Sequence, residues 1–398
     1  MELLVTLGDV AVGTIRSQPD GRNEFSFLPE YLNASRRPVL GQYFEDHLTD
    51  IHRSRLHLAP FFSNLLPEGG LRELIARHAQ VHPDREADLL AVLGEDLPGA
   101  IVVRRISGEV TDAEQASEAT NIERGETDGT LRFSLAGAQL KFSVLYRAGT
   151  RGPTFPLAGR GGDWIAKLPS EIYEQVPENE YAMMLWAGQV GINIPEVRLI
   201  AAGDIEGLPV QIDPHQQVFL SRRFDRPTSG PRIHQEDFAQ VANVRRAQRY
   251  GTMSHTSIAR VVRAVSGEDD LDETIRRTAF NVLIGNGDAH LKNWSLVYPD
   301  GIQARLSPAY DLVSTVTYIS TDKLALKLSR EDRFDQVRLL HFERLAEKID
   351  VSPGHITNIV KTAVQRAMAA WPSEGLEPRR AKLLRAHIER LPLLAEAG

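Results

Sequence analysis

The chain has 398 residues, too many for one ordinary hydrophobic core, so about two or three domains are expected. A net charge of −7 and a pI near 6.0 argue against nonspecific nucleic-acid binding as the main activity. The absence of cysteine excludes disulfides, thiolate metal sites and a cysteine nucleophile.

Met1-Glu-Leu-Leu-Val-Thr lacks the basic region and apolar core of a signal peptide, and no apolar run reaches the length of a membrane span. A cytoplasmic protein with no direct membrane association is therefore expected. Residues 1–105 read as a small mixed subdomain. Alternating segments at Leu3 to Leu7, Ala11 to Ile15 and Glu24 to Leu28 predict strands, separated by Gly-Asp and Pro-Asp-Gly turns. Helices are predicted at Leu71 to Gln80 and Arg85 to Leu93. Residues 106–130 are acidic, rich in Gly, Ser and Thr and nearly free of large apolar side chains, which predicts an exposed connection. Strand patterns return over 131–226, at Leu131 to Leu135, Lys141 to Tyr146, Trp164 to Leu168, Glu196 to Ala201 and Val218 to Ser221. One helix, Glu178 to Gln189, interrupts them. Over 227–398 the pattern is helical, at Asp237 to Ala242, Ser257 to Val265, Leu271 to Gly285, Phe334 to Lys348, Ile356 to Ala370 and Pro378 to Arg390. The expected fold is α+β and bilobal, like that of a nucleotide-binding kinase. A β-rich lobe, preceded by the extra N-terminal subdomain, is followed by an all-α C-terminal lobe.

The chemistry concentrates after the Leu271 to Gly285 helix. Asp288 and Asn293 stand in Asp-x-x-x-x-Asn spacing, and Asp311 follows after a short segment that reads as a strand pair. Phosphoryl transfer needs a carboxylate to take the hydroxyl proton and oxygen ligands to hold magnesium against the phosphates. This order and spacing suit those needs, although Asn-Gly-Asp is strong turn chemistry in any case. Upstream, Lys167 is a single cation in the apolar strand Trp164-Ile-Ala-Lys-Leu168, where it would be costly to bury unpaired. Its functional reading is contact with phosphates, with Glu180 as the natural partner and Glu178 second. Ser134-Leu-Ala-Gly-Ala-Gln-Leu-Lys141 places Ala136, Gly137 and Ala138 where a strand turns and backbone amides could approach phosphates. It matches neither standard phosphate-loop pattern, and by composition it is only a tight turn. Phe219-Leu-Ser-Arg-Arg-Phe-Asp-Arg226 is either an interlobe hinge or an ordinary strand exit. His290 and Lys292 lie inside the candidate catalytic loop, in reach of phosphate or transition-state charge. No His-Glu-x-x-His or Gly-x-Ser-x-Gly motif occurs, so zinc-protease and serine-hydrolase chemistry have no support.

Together these segments resemble the HipA family of bacterial toxin serine/threonine kinases. The likeness runs through Asn64-Leu-Leu-Pro-Glu-Gly69, Gly94-Glu-Asp-Leu-Pro-Gly-Ala-Ile101, Ser134-x-Ala-Gly-Ala-Gln-x-Lys141, Ile165-Ala-Lys-Leu-Pro169 and Asn179-Glu-Tyr181. It continues through Arg223-Phe-Asp-Arg226, Gln235-Glu-Asp237, Gly287-Asp-Ala-His-x-Lys-Asn293 and Tyr310-Asp-Leu-Val-Ser314. The resemblance implies ATP and Mg²⁺ as cofactors, Asp288 as catalytic base, and Asn293 and Asp311 as magnesium ligands. It also implies a phosphate loop of Ala136, Gly137, Ala138, Gln139, Leu140 and Lys141, with phosphate binding by Lys167. A hinge at Arg222, Arg223 and Phe224 would line the nucleotide, with His290 and Tyr310 nearby. Ser134 would be the serine whose autophosphorylation switches the kinase off. Implied partners are a small helix-turn-helix antitoxin, operator DNA through it, and a protein substrate in translation such as an aminoacyl-tRNA synthetase. Arg222 and Leu140 depart from the family pattern at the hinge and in the loop. Two other readings stand beside this one: a co-repressor partner of an antitoxin, and a small-molecule kinase on the same scaffold.

Overall fold

The computed structural model of the chain describes residues 1–107, 141–146, 153–154, 162–208, 212–371 and 375–397. The predicted acidic connection beyond Ser107 lies outside the described residues, as do Leu131 to Leu135, Ser134 and Ala136 to Leu140. Lys141 lies within them.

The first unit is built on a period of two. In β1 (Glu2–Leu7) Leu3, Val5 and Leu7 are buried and alternate with partly exposed neighbours. Gly8, at φ 55°, takes a left-handed conformation that costs glycine little, and turns β1 back onto β2 (Val10–Ser17) with Leu7 opposite Val10. Strands β3 (Arg22–Phe27), β4 (His52–Arg55) and β5 (Ile101–Ser107) complete an antiparallel sheet in the order β4-β3-β2-β1-β5. Helices α1 (Gly69–His78) and α2 (Glu86–Leu93) belong to the same unit. Its core holds Phe25, Phe44, Phe61 and Phe62, packed largely edge to face.

The second unit is an antiparallel sheet of β6 (Lys141–Val144), β7 (Trp164–Lys167), β8 (Val197–Ala201) and β9 (Gln217–Arg222), in the order β6-β7-β9-β8. Alternation along β9 sends Val218 and Leu220 into one cluster with Trp164 and Ala166. Phe219 goes into the other, against the helical core. Helix α3 (Val176–Val190) covers this second face through Met183, Met184 and Trp186 and stops at Gly191, at φ 92°.

The third unit contains α4 (His255–Ser266), α5 (Glu268–Ile284), α6 (Leu339–Lys348), α7 (Pro353–Ala369) and α8 (Pro378–Ile388). Helix α5 opens with Glu268, Asp269 and Asp270, which suit the positive end of the helix dipole. Its last turns, Ala279 to Ile284, are wholly buried. It ends at Gly285, whose φ of 62° closes a left-handed cap, and a Cβ there would collide with Val316. The expected all-α lobe needs one amendment. Strands β10 (His234–Asp237), β11 (Ser295–Tyr298) and β12 (Arg305–Leu306) form a small antiparallel sheet within it. The β11 and β12 pair agrees with the strand pair read before Asp311. The polar strand His-Gln-Glu-Asp offers no apolar alternation, so β10 was invisible to pattern reading.

That polar strand is also a seam. Glu236 accepts the Gln42 amide at 2.9 Å, and the His234 ring meets the Leu40 carbonyl at 2.8 Å. Asn64 and Gln240 cross the same boundary to Val244 O at 2.8 Å and Phe61 O at 3.1 Å. The first unit is thus bonded to the helical lobe. No helix among the described residues is long and apolar enough to cross a membrane.

Candidate active site

Lys167 closes β7, where the strand register sets it between Lys141 and Phe219. It is 5% exposed, and a bare ammonium at that depth would be unstable. Two carboxylates answer it: Glu180 from the first half of α3 and Asp311 from the segment after β12. Lys141 Nζ takes the other oxygen of Asp311 at 3.0 Å. Burial opposes ionisation of Asp311, but the Lys141 and Lys167 ammoniums outweigh it and hold the carboxyl well below its usual range. For Lys167 burial works against the charge, and Asp311 and Glu180 overcome it, holding the ammonium above its usual range. Glu178 makes no ion pair with Lys167.

Asp311 adopts φ 55°, a left-handed conformation uncommon outside glycine, so its surroundings must hold it there. One tether comes from α3, where buried Asn179 accepts the Ser314 amide at 3.0 Å and donates to Ser314 O and Thr317 Oγ1. Another is Asn286, whose Nδ2 reaches Asp311 O at 3.3 Å while its Oδ1 accepts the Asp288 amide at 3.1 Å. Asn286 therefore links the two aspartate segments through one buried side chain.

Asp288 follows the α5 cap and is 58% exposed at the side chain, which leaves its carboxylate open to an approaching hydroxyl. Asn293 Nδ2 donates to Asp288 O at 2.7 Å, which commits the amide nitrogen and leaves Oδ1 as the atom that could accept a cation. Asn293, Asp311, Asn286 and Tyr310 line one small cavity. Tyr250 donates its hydroxyl to Asp288 Oδ1 at 2.8 Å, and its ring meets His290 edge-on at 5.1 Å between centroids. Burial, joined by the Asp288 carboxylate, pushes the Tyr250 phenol up to about 12, so it is a neutral donor. Burial likewise lowers His290 against the pull of Asp288, which favours the neutral imidazole at pH 7.

Other expected site residues are engaged differently. Lys292 turns its ammonium to Asn64 O at 2.8 Å, Glu68 at 3.3 Å and Asp237 at 3.5 Å. Arg222 pairs with Glu196 at 3.5 Å, and its amide donates to Glu196 O. Arg223 is buried against Asp225 at 2.8 Å and Asp96 at 3.5 Å, and its amide donates to Asp163 O. These two hinge amides already have acceptors, so they are not open to an adenine. Phe224 packs on Tyr310, with ring centroids 5.9 Å apart. Tyr310 donates to Lys292 O at 2.9 Å, and burial pushes its phenol far up. Tyr250, Asn179, Asn286 and Glu68 were not singled out from the sequence. Of these, Asn179 and Glu68 sat inside quoted motifs with no spacing to connect them to Asp288, and Asn286 was read only as part of the Asn-Gly-Asp turn.

Asp311 and Asn293 offer hard oxygen donors, one of them held ionised, which fits Mg²⁺ bound by one or two protein groups and completed by phosphates. Lys141 and Lys167 supply the positive charge that polyphosphate needs.

The chain is similar over nearly its whole length to proteins of one family. Residues 3–104 match the HipA N-terminal domain, and residues 133–371 match the HipA-like C-terminal domain. A Sinorhizobium fredii protein, provisionally named kinase Y4dM, is 41% identical over 370 residues, covering 91% of this chain and 89% of that one. The serine/threonine-protein kinase toxin HipA of Shewanella oneidensis is 25% identical over 304 residues, covering 70% of this chain and 67% of that protein. The solved complex of Shewanella oneidensis HipA with HipB and operator DNA shares the fold at TM-score 0.71 and 19% identity. It covers 99% of this chain and 96% of its counterpart. With both domain models matched in order and a relative at this identity across nearly its whole length, the chain belongs to the HipA family.

Proposed function

We propose that this protein is a Mg-ATP-dependent protein serine/threonine kinase of a toxin–antitoxin module. The observation that carries the reading is the meeting of two separate stretches: Lys167 with Glu180 and Asp311, and Asp288 with Asn293, joined by Asn286. When bound, Mg-ATP supplies the phosphoryl group and a metal that offsets phosphate charge. Asp311 and Asn293 Oδ1 would hold the metal, and Lys167 and Lys141 would hold phosphate oxygens. Glu180 keeps Lys167 in place when Asp311 is engaged elsewhere. Asp288 would take the proton from the acceptor hydroxyl while the hydroxyl oxygen bonds to the γ-phosphorus and the bond from that phosphorus to the ADP oxygen breaks, with ADP leaving. Neutral His290 beside it can donate a hydrogen bond without neutralising the base.

The proposal extends to a protein substrate in translation, such as an aminoacyl-tRNA synthetase, and to a small helix-turn-helix antitoxin that carries the complex to operator DNA. Likeness to a HipA solved with HipB and its operator supports the second point. Ser134, two residues before the proposed phosphate loop Ala136 to Lys141, is the proposed autophosphorylation site, where a phosphate would compete with ATP for the same amides. The test is intact mass of the dephosphorylated chain with and without Mg-ATP, for wild type and Asp288→Ala. One added phosphate on wild type alone, mapped to Ser134, is expected. A folded wild type that binds no Mg-ATP at millimolar nucleotide would overturn the kinase reading.

A further inference from the structure

The segment Asn64-Leu-Leu-Pro-Glu-Gly69 leaves the first unit and ends against the candidate catalytic loop. Asn64 is buried, and its Nδ2 is fixed by Pro60 O at 2.9 Å and Val244 O at 2.8 Å. That places its carbonyl on Lys292 Nζ at 2.8 Å. Glu68 then grips the loop on two flanks. Its Oε1 lies 3.3 Å from Lys292 Nζ, and its Oε2 takes Arg249 Nη1 at 2.7 Å. Arg249 is the residue before Tyr250, and its guanidinium lies 5.3 Å over the Tyr250 ring. Its carbonyl accepts the Leu291 amide at 3.3 Å. Tyr250 in turn donates to Asp288. One carboxylate from the first unit is therefore coupled to Asp288 from both directions in sequence, through Lys292 and through Arg249 and Tyr250.

The loop needs such support. The Asp288 side chain is mostly exposed. The backbone bonds His290 N to Asp288 O and Asn293 N to His290 O, with the Asn286 and Asn293 side chains, hold the loop backbone without touching the Asp288 carboxylate. A misplacement of about 1 Å at a reacting group costs on the order of 100-fold in rate. We propose that Glu68 is a positioning residue for phosphoryl transfer. The first unit then supplies a carboxylate that sets Lys292 and Asp288 in place and is a working part of the active site. This rests on Asp288 being the base.

The test measures γ-phosphate transfer from Mg-ATP to protein, on the chain itself and in bacterial lysate, with thermal midpoints alongside. Variants are Glu68→Ala, the isosteric Glu68→Gln, Lys292→Ala, the double Glu68→Ala/Lys292→Ala, Asp288→Ala and Glu45→Ala. Glu45 pairs with Arg37 at 2.7 Å inside the first unit and serves as the control for plain loss of an ion pair. Expected is a fall in kcat of about 10- to 100-fold for Glu68→Ala, with the KM for ATP within about twofold. The double variant should lose less than the product of the two single losses, as coupled groups are not additive. Glu45→Ala should keep its kcat. If Glu68→Ala folds poorly, Glu68→Gln keeps the packing and should still lose rate. Wild-type kcat in both Glu68 variants, or full additivity in the double, overturns the inference while a wild-type to Asp288→Ala difference still stands. Equal transfer by wild type and Asp288→Ala would instead sink the base assignment, and this inference with it.

Discussion

The proposed nucleotide side and acceptor side of the site are held by different physics. Lys167 and Glu180 are 5% and 1% exposed and sit on a strand and a helix, so each charge depends on its partner. Asp288 exposes its side chain from a loop whose Asn286, Ala289, His290 and Leu291 are buried, and its proposed aim depends on Tyr250, Lys292 and a carboxylate from another unit. A buried pair shares stability and function in the same atoms. An exposed carboxylate such as Asp288, the proposed base, separates them, because water solvates it whether or not it is well aimed.

That contrast can be broken most directly by comparing Lys167→Met with Asp288→Ala. Both should cut phosphoryl transfer by about 1,000-fold or more, within the range for loss of a base or a charge stabiliser. Only Lys167→Met should unfold easily. It leaves Glu180 buried without its cation, and breaking a buried pair this way costs about 3–5 kcal/mol. Asp288→Ala should stay within about 0.5 kcal/mol of wild type, as exposed substitutions do. Urea melts on both variants measure this, and equal stability would remove the distinction.

A second variant sharpens the nucleotide side alone. Asn179→Leu removes the acceptor of the Ser314 amide in a wholly buried site, which should cost about 1–3 kcal/mol. The same loss frees Asp311 from its left-handed conformation, so the KM for ATP should rise while the acceptor side is unaffected. Tyr250→Phe tests the other side. It should leave stability and the KM for ATP alone and lower kcat about 3- to 10-fold, a loss of roughly 1 kcal/mol in aim. Since the phenol stays neutral to about 12, that loss should be flat with pH across the neutral range.

The same divide decides what could be read from the sequence. Lys167 stood out as one cation in an apolar strand, and the acidic spacing of Asp288 and Asn293 is local, so both were visible. Glu180, thirteen positions past Lys167 in the first half of the next helix, was legible as its partner too. Tyr250 is 38 positions from Asp288, and Glu68 is 181 from Arg249. No periodicity or turn chemistry connects such pairs, because tertiary packing alone brings them together. The hinge shows the opposite failure. Arg222 and Arg223 read as exposed or nucleotide-lining, yet Glu196, Asp225 and Asp96 claim their side chains. Strand β10 escaped notice for a related reason: it is buried through hydrogen bonds, and pattern reading detects burial through apolar residues.

Strand β10 also makes the acceptor-side seam sensitive to pH in a way the lysine cluster is not. Burial raises the Glu236 carboxyl to about 8, although the Tyr298 hydroxyl and the Gln42 amide both donate to it. Unfolded, the group ionises near its ordinary value of about 4.3. Between those values the folded chain holds a proton that the unfolded chain has lost. The stability it contributes is full below the lower value and falls by up to about 1.4 kcal/mol per pH unit as pH rises toward 8. His234, two residues away, works in the opposite sense. Burial lowers it to about 4, so its contribution grows as pH rises from there toward 6.5. Wild type alone would blur the two. The difference between Glu236→Gln and wild type isolates the carboxyl, and it should favour the variant increasingly from pH 5 to pH 8. Urea midpoints at several pH values measure it. A difference that stays constant would mean Glu236 is ionised in the folded chain, with the seam then held by charge-assisted bonds to Tyr298 and Gln42.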